Sequence, residues 1–292
     1  MQVTILGSGG QLGRELTRAP WPVGLDLRAW GRHEVDITDE RAAAEAVRGA
    51  DLVVNAGAYT AVDKAETETE RAFEVNRDGP ANLARACAEQ GAWLLQVSTD
   101  YVFDGTKSGA YAEDDPTAPL GVYGASKAEG EERVRELCEQ HVILRTSWVV
   151  SAFGQNFVKT MLRLAAERDR LRVVADQFGR PTPARDLADA IVRIAARLAE
   201  AAPISAGTYH FAAAGRASWH ELASFVVDQQ AARTGRRPVV EPITTAEYPT
   251  PARRPASSVL ATTKLEQALG FTPAAWQRGA AEIVDELLSE HR

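Results

Sequence analysis

The chain has 292 residues, 45% of them hydrophobic and 25% charged, which indicates an ordinary globular protein with one large domain or two modest ones. The net charge of −7 argues against general affinity for nucleic acid or an anionic membrane, and two cysteines in so long a chain favour a reducing compartment. The N-terminus does not resemble a signal peptide, and no apolar run approaches the length of a membrane span, so we expect a cytoplasmic protein.

The first half of the chain alternates short apolar strands with helical stretches. The predicted strands cover 3–7, 25–31, 50–58, 92–103 and 141–148. The predicted helices cover 11–19, 40–49, 70–91 and 128–140. Strands that are apolar without alternation are typical of a parallel sheet covered by helices on both faces. The pattern predicts an α/β fold with a doubly wound parallel sheet.

The alternation of strands and helices becomes less regular after about residue 150, where a smaller C-terminal lobe is predicted. Its predicted helices and strands cover 156–170, 171–177, 188–200, 207–213, 218–235, 262–270 and 276–290. Ser218 and Glu221 form a helix-start signature, and the segment 242–258, rich in proline, threonine and serine, favours an ordered loop. We expect residues 1–150 to form a dinucleotide-binding domain that about 182–213 rejoin, and 151–181 with 214–292 to form the substrate lobe.

A glycine-rich turn follows the first predicted strand. Gly7, Gly10 and Gly13 give the spacing G-x-x-G-x-x-G, which lets backbone approach a pyrophosphate at the N-terminus of the next helix. The turn lacks the Lys-Ser/Thr of a nucleoside-triphosphate loop. A tight turn without a ligand is the alternative, but its place at the first strand of an alternating pattern favours dinucleotide binding.

The second predicted strand ends near the residue that meets the adenosine ribose. An acidic residue there suits NAD, and an arginine accommodates the 2′-phosphate of NADP. Here Arg32 follows the strand and no carboxylate occurs before Glu34. The sequence therefore favours NADPH, with NADH possible; a solvated surface charge at Arg32 is the alternative.

Tyr123 and Lys127, in the stretch YGASK, lie four residues apart at the start of a predicted helix and share one face. An ammonium next to a phenol stabilises the phenolate, so we expect Lys127 to lower the pKa of Tyr123 and to let it protonate a carbonyl as hydride arrives. The same lysine would hold the nicotinamide ribose. Thr99, at the end of the fourth strand, would orient the carbonyl. A packed tyrosine and a solvated lysine are the alternative.

These motifs occur in the same order in extended short-chain dehydrogenases/reductases, which the chain resembles. More particular stretches resemble the dTDP-4-dehydrorhamnose reductase family over nearly the whole length. They are AYTAVDKAE, STDYVF, APLGVYGASKAEGE, LRTSWV, NFVKTML, DQFGRPT and TPARRPASS.

The resemblance implies roles for individual residues. Tyr123 is implied as proton donor, with Lys127 and Thr99 completing the active-site set. Cofactor contacts are implied along three segments: Gly10, Gln11, Leu12; Asp36, Ile37; Ala58, Tyr59, Thr60. Sugar-nucleotide contacts are implied for Thr99, Asp100 and Trp148.

Further residues suit a sugar diphosphate. Trp148 ends a strand and offers an aromatic wall, with core packing as the alternative. Arg253 and Arg254 lie between two prolines, and arginine pairs well with phosphate; two solvated charges are the alternative. Asn156 and Lys159 open a helix that we expect to face the ligand.

One departure from the family concerns a metal. Some members are dimers with magnesium held by glutamates at the interface, and Glu15 occupies one such position. Arg185 occupies another, and an arginine does not suit magnesium. We therefore expect no metal-dependent dimer, and leave monomer or homodimer open.

The resemblance implies NADPH-dependent reduction of the C4 ketone of a dTDP-4-keto-6-deoxysugar, the product being dTDP-L-rhamnose. Two alternatives stay open: a sibling ketoreductase of another deoxysugar pathway, and a non-catalytic NADP-binding regulatory subunit. The sequence does not determine product stereochemistry.

Overall fold

The structure, a computed structural model, describes residues 1–200 and 204–289. The strands of its central sheet are β1 (Gln2–Leu6), β2 (Asp26–Trp30), β3 (Leu52–Asn55), β4 (Trp93–Thr99), β5 (His141–Thr146) and β10 (Gly207–His210). The shorter strands are β6 (Val149–Val150), β7 (Arg170–Val174), β8 (Phe178–Gly179), β9 (Thr182–Pro183), β11 (Ala217–Ser218) and β12 (Val239–Ile243). The helices are α1 (Gln11–Arg18), α2 (Glu40–Val47), α3 (Val62–Ala65), α4 (Thr69–Phe73), α5 (Gly79–Gln90), α6 (Val122–Leu137), α7 (Phe157–Glu167), α8 (Ala184–Leu198), α9 (Trp219–Thr234), α10 (Thr263–Leu269) and α11 (Trp276–Ser289).

The central sheet has the strand order β10-β5-β4-β3-β1-β2, and every neighbouring pair is parallel. Val3 of β1 lies opposite Leu27 on one side and Leu52 on the other. The chain therefore reverses its direction across the sheet at β1. In open α/β sheets, ligands bind at such a reversal, beyond the carboxyl ends of the strands. The predicted doubly wound parallel sheet is confirmed.

Apolar side chains bury both faces of this sheet. One face packs against α1 and α8 around Leu16 and Ile191, and the other packs against α2 and α5 around Val47 and Leu83. A separate core joins α7, α9 and α11 in the C-terminal part of the chain. Because β10 pairs with β5, a late segment does return to the central sheet. The division into a cofactor domain and a substrate lobe stays a proposal.

Several boundaries differ from the sequence prediction. The predicted loop 242–258 is wrong at its start, because β12 extends to Ile243 and pairs in parallel with β7. The sequence pattern did not indicate this strand because it contains Pro242, and proline argues against a central strand. The two-stranded sheet of β7 and β12 tolerates the proline. The predicted helix 70–91 contains a π-helical turn at Glu74–Asp78, and α6 begins before residue 128. The last residue of the predicted helix 276–290 lies outside the described residues.

The capping box predicted at Ser218 is confirmed: its side chain accepts from the Glu221 backbone, and the Glu221 carboxylate accepts from the Ser218 backbone. Across residues 1–200 and 204–289, none of the helices is both long and apolar enough to cross a membrane.

Candidate functional site

The glycine turn after β1 places backbone, not side chains, at the reversal point of the sheet. Gly7 has φ of +83°, and a Cβ there would lie 2.6 Å from the backbone nitrogen of Gly57. A Cβ on Gly13 would lie 2.2 Å from the Gly7 carbonyl oxygen. Both positions therefore require glycine, because β1, α1 and the loop after β3 pack directly against one another.

The N-terminus of α1 suits an anion. Gly10, the residue before the helix, supplies no side-chain cap, and a Cβ on Gly9 would meet nothing within 4 Å. The first amide N–H groups of the helix therefore have no side-chain cap at its positive end. These features fit the pyrophosphate of a dinucleotide. Of the two residues that follow, Leu12 packs into the core and Gln11 stays at the surface of the turn.

Charged side chains lie where the adenosine end of a dinucleotide would come. Arg32 is exposed after β2, and the Glu34 carboxylate accepts from the Gly31 backbone at 2.7 Å. Partial burial raises the pKa of Asp36, but hydrogen bonds from Thr38 and the charges of Arg71 and Arg32 outweigh it, so that the pKa lies below its usual value.

Arg71 was missed by the sequence analysis. It lies 3.6 Å from Asp36, on a helix remote in sequence, and no local motif marks it. Ile37, the neighbour of Asp36, is buried, and a Cβ on Gly79 would lie 2.7 Å from its side chain.

The loop Ala58–Tyr59–Thr60 follows β3 and is held by Asn76. The Asn76 side chain accepts from the Tyr59 N–H at 2.8 Å and donates to the Tyr59 carbonyl at 3.0 Å. It also donates to the Ser126 hydroxyl on α6 at 3.0 Å. The π-helical turn thus links the loop to the helix that carries the Tyr–Lys pair. The sequence analysis also missed Asn76. Its side chain reaches the loop only because of the π-helical turn, which the sequence pattern did not predict.

The Tyr123–Lys127 pair occupies the first turns of α6. The Glu66 carboxylate accepts from the Val122 N–H at 2.9 Å and so holds the start of the helix. The half-buried Tyr123 ring contacts Tyr101 edge-to-face at 5.9 Å between centroids. It lines a cleft together with Glu66 and Arg253.

Lys127 is buried, and its Nζ donates to the Val97 carbonyl of β4 at 2.7 Å. Thr99 ends the same strand and lies close enough to Tyr123 to affect the pKa of its hydroxyl. The three predicted active-site residues therefore meet at the carboxyl end of β4.

The predicted lowering of the Tyr123 pKa is wrong. Burial, with a smaller contribution from the Asp100 charge, raises the pKa of Tyr123 to about 12, and Thr99 opposes this shift. Lys127 does not change the pKa of Tyr123, because its ammonium is directed at the Val97 carbonyl. Burial lowers the pKa of Lys127 to about 8, and the Glu131 charge opposes that shift. Tyr123 is therefore protonated at neutral pH, as a proton donor must be.

A buried ionic cluster lies one turn further along α6. Glu131 is 1% exposed and accepts from the Ser98 hydroxyl at 2.6 Å. Arg145 of β5 is 2% exposed and donates from Nε at 2.9 Å and from Nη2 at 2.7 Å to the same carboxylate. The far side of Arg145 approaches His210 Nε2 at 3.4 Å. The sequence analysis assigned no role to Glu131, Arg145 or His210, and it noted Ser98 only as a polar residue at the strand end.

Asp100 is 2% exposed and lies under the cleft rather than on its surface. Its carboxylate accepts from Ser147 at 2.9 Å, from Thr99 at 3.1 Å and from Ser258. Burial raises the pKa of Asp100 to about 6, although these three hydroxyls oppose the shift. Asp100 thereby joins β4 to the C-terminal segment, and its predicted contact with substrate stays a prediction.

Trp148 adopts an unusual backbone conformation between β5 and β6, with φ of +45°. Its ring stacks on Trp219 at 3.5 Å and an interplanar angle of 4°. A Cβ on Gly179 would lie 2.3 Å from the Trp148 ring, so only glycine fits beneath it. Strained backbone conformations such as this one cluster at ligand sites. The Trp148 side chain is partly exposed and could therefore contact a ligand.

Asn156 and Lys159 lie beside the glycine turn. The Asn156 amide donates to Gln11 at 3.0 Å and to the Ser151 carbonyl at 2.6 Å, while its oxygen caps α7. Lys159 Nζ donates to the Ala152 carbonyl at 2.9 Å. Both residues stabilise the loop that covers α1, and their predicted substrate contacts stay a prediction.

The two adjacent arginines differ in their partners. Arg254 donates to both carboxylate oxygens of Asp63, at 3.0 and 2.9 Å. Arg253 is exposed at the cleft that Tyr123 lines. Arg253 is therefore available to an anionic ligand, whereas Arg254 fixes the C-terminal loop to α3.

Arg185 lies where a carboxylate was expected for magnesium. Its guanidinium is 3.7 Å from Glu15 and 3.2 Å from Glu286. The buried Glu15 also accepts from Ser151 at 3.2 Å. This glutamate therefore has a cationic partner within the chain.

Three comparisons relate the chain to known proteins. The sequence model of the family described as RmlD substrate binding domain matches residues 1–289. A dTDP-4-dehydrorhamnose reductase from Sinorhizobium fredii is 44% identical over 99% of both chains. A crystal structure of such a reductase from Clostridium acetobutylicum superposes with a TM-score of 0.91 at 36% identity, covering 99% of this chain and 100% of that one. A reductase from Bacillus anthracis in complex with NADP superposes with a TM-score of 0.89 at 35% identity, covering 98% and 99%.

Proposed function

The chain belongs to the dTDP-4-dehydrorhamnose reductase family, and with that premise we propose that it reduces the C4 ketone of dTDP-4-dehydro-6-deoxy-L-mannose with NADPH to give dTDP-L-rhamnose. The observation that carries this proposal is the convergence of Thr99, Tyr123 and Lys127 at the carboxyl end of β4, next to an uncapped glycine turn. The relative from Bacillus anthracis binds NADP on the same fold.

Different residues of the chain have different roles in the reduction of the ketone. When bound, NADPH supplies the hydride. Tyr123 is held in its protonated form by burial, and it donates that proton to the ketone oxygen as negative charge develops there. Thr99, beside the phenol, opposes the effect of burial on its pKa, and we assign Thr99 to orient the ketone. The half-buried position of the Tyr123 ring limits the access of water.

Lys127 is fixed before any ligand binds. The hydrogen bond to Val97 sets the direction of its ammonium group. We assign Lys127 to the nicotinamide ribose and to the electrostatic stabilisation of the Tyr123 phenolate during turnover.

We place the cofactor at the glycine turn and the sugar nucleotide beside Tyr123. The N–H groups of α1 at Gly10–Gln11 would bind the cofactor pyrophosphate, and Arg32 its 2′-phosphate. Arg253 would bind the diphosphate of the sugar nucleotide, because it is exposed at the cleft beside Tyr123. Trp148 would bound the deoxysugar. The two buried free cysteines accord with a reaction in the reducing cytoplasm.

The test incubates purified protein with NADPH and a panel of dTDP-4-keto sugars and follows the loss of reduced-nicotinamide absorbance. NMR then identifies the product. Formation of dTDP-L-rhamnose with steady turnover is the expected result. Preference for another keto sugar would make the chain a sibling ketoreductase, and saturable NADPH binding without oxidation would make it a binding subunit.

A further inference from the structure

The residues beneath Lys127 point to a function for a glutamate that the proposed mechanism does not use. We propose that Glu131 is a positioning residue, which keeps the Lys127 ammonium charged through a buried cluster with Ser98 and Arg145. The inference rests on the proposed reductase function, because it assigns a role to a neighbour of the active-site lysine.

The first argument is the position of the two residues. Lys127 and Glu131 lie four residues apart on α6, so they occupy the same face, and both are at most 4% exposed. Each is fixed to β4 by a hydrogen bond, Lys127 to the Val97 carbonyl and Glu131 to the Ser98 hydroxyl. Since Thr99 follows directly on that strand, these two bonds set the distance between α6 and the active-site end of β4.

The second argument is charge. A buried ammonium without a carboxylate nearby loses its proton readily. Glu131 is the group whose charge raises the pKa of Lys127 against burial, which has lowered it to about 8. Arg145, Ser98 and Arg135 in turn keep the pKa of Glu131 below its usual value, although burial opposes them. The carboxylate therefore stays ionised one helical turn from the lysine.

The other charged groups around Lys127 do not replace Glu131. Asp100, at the end of β4, accepts three hydroxyl hydrogen bonds. On β10, burial lowers the pKa of His210 to about 3, so it is neutral. Among the charged groups on nearby segments, Glu66 accepts from the Val122 N–H, Glu113 accepts from the His210 N–H, and Arg77 donates to Asp78 and Glu129.

The test compares pH profiles of kcat/KM for four proteins. Glu131→Gln keeps the shape of the side chain but leaves Arg145 as an unpaired buried charge, which endangers folding. The double variant Glu131→Gln with Arg145→Met removes both charges together and keeps the core intact. Glu132→Gln, at an exposed position on the same helix, is the matched control, and the wild type is the reference.

We expect the alkaline limb of the profile to move to lower pH by about one unit in both Glu131 variants, because a nearby opposite charge has an effect of that size. The Glu132 variant should match the wild type. A double variant that folds and keeps the wild-type alkaline limb would overturn the inference, since Glu131 would then serve only to pair Arg145.

A second measurement does not depend on turnover. The chain has five lysines, so NMR titration of labelled lysine side chains, with Lys127→Arg for assignment, reports Lys127 directly. Its titration should move to lower pH in the double variant, and an unchanged titration would overturn the inference. A wild type without reductase activity would contradict the proposed function, while this titration would still test the role of Glu131.

Discussion

The floor and the rim of the candidate site are built in opposite ways. We define the floor as the buried residues beneath Tyr123, which are Ser98, Lys127, Glu131 and Arg145; each makes at least one direct hydrogen bond. We define the rim as Arg32 and Arg253, which are both exposed; Arg32 follows β2, and Arg253 lines the cleft beside Tyr123. The floor side chains therefore already have hydrogen-bond partners within the chain, whereas the rim arginines are exposed to solvent and can bind a phosphate.

This difference separates chemistry from recognition. Groups that act in the transition state are most effective when they are already oriented, because no reorganisation is then needed during the reaction. Groups that bind phosphate gain more by staying in water until the ligand arrives, since a free buried arginine would be costly. Changes in the floor should therefore reduce kcat or stability, and changes in the rim should raise KM.

Removing the proton donor should have the largest effect. Tyr123→Phe keeps the ring against Tyr101 but removes the hydroxyl, so kcat should fall by about 10²- to 10⁴-fold. NADPH affinity, measured by fluorescence titration, should stay near that of the wild type. Near wild-type turnover would remove Tyr123 from the mechanism.

Removing the rim arginine at the sugar end should raise KM. Arg253→Met should increase KM for the dTDP sugar by about 10- to 100-fold with a smaller change in kcat, because a charge-assisted hydrogen bond is lost. Arg163→Met, at an exposed arginine that pairs with Glu167 on α7, is the control and should leave both constants unchanged. Equal KM values for the two variants would place the diphosphate elsewhere.

Removing the rim arginine at the cofactor end should have a smaller effect. Arg32→Ala should weaken NADPH binding by about tenfold, because one charge-assisted contact to the 2′-phosphate is lost. The affinity for NADH, which lacks this phosphate, should not change. Isothermal titration with both cofactors checks this, and equal losses for NADH and NADPH would contradict the assignment.

His210, which lies against Arg145 of the floor, should make folding stability sensitive to acid. Burial holds the pKa of His210 at about 3, whereas the unfolded chain binds a proton at about 6.5. The unfolded state therefore binds more protons below about pH 6.5, and folding stability falls as the pH decreases. Between about pH 7.5 and 5.5 the loss from this group should be about 1 kcal/mol, and urea unfolding of wild type and His210→Asn should show it. A wild type whose pH slope equals that of the variant would contradict this account.

The sequence predicted the parts of the site that depend on local pattern. The glycine turn and the Tyr–Lys pair are short motifs whose geometry follows from a turn and from one helical period, and both lie where expected. The partners of these motifs were not predictable in this way. Asp63 and Arg254 are 191 residues apart, and Arg145 reaches Glu131 only because β5 lies beside β4 and beneath α6.

The prediction that the Tyr123 pKa is lowered was wrong for the same reason. Helical spacing brings Lys127 near the phenol, but it does not reveal that the ammonium turns to the Val97 carbonyl or that burial dominates both groups. Desolvation depends on the whole fold around a side chain, and no local motif contains it.

A crystal structure of the complex with NADPH and a dTDP sugar tests the contrast between floor and rim most directly. The account predicts a Tyr123 hydroxyl within about 3.2 Å of the sugar C4 oxygen. It also predicts a floor that moves by less than about 1 Å, and Arg32 and Arg253 turned onto phosphates. A Tyr123 hydroxyl directed away from the sugar, or a Glu131–Arg145 pair separated by the ligand, would contradict it.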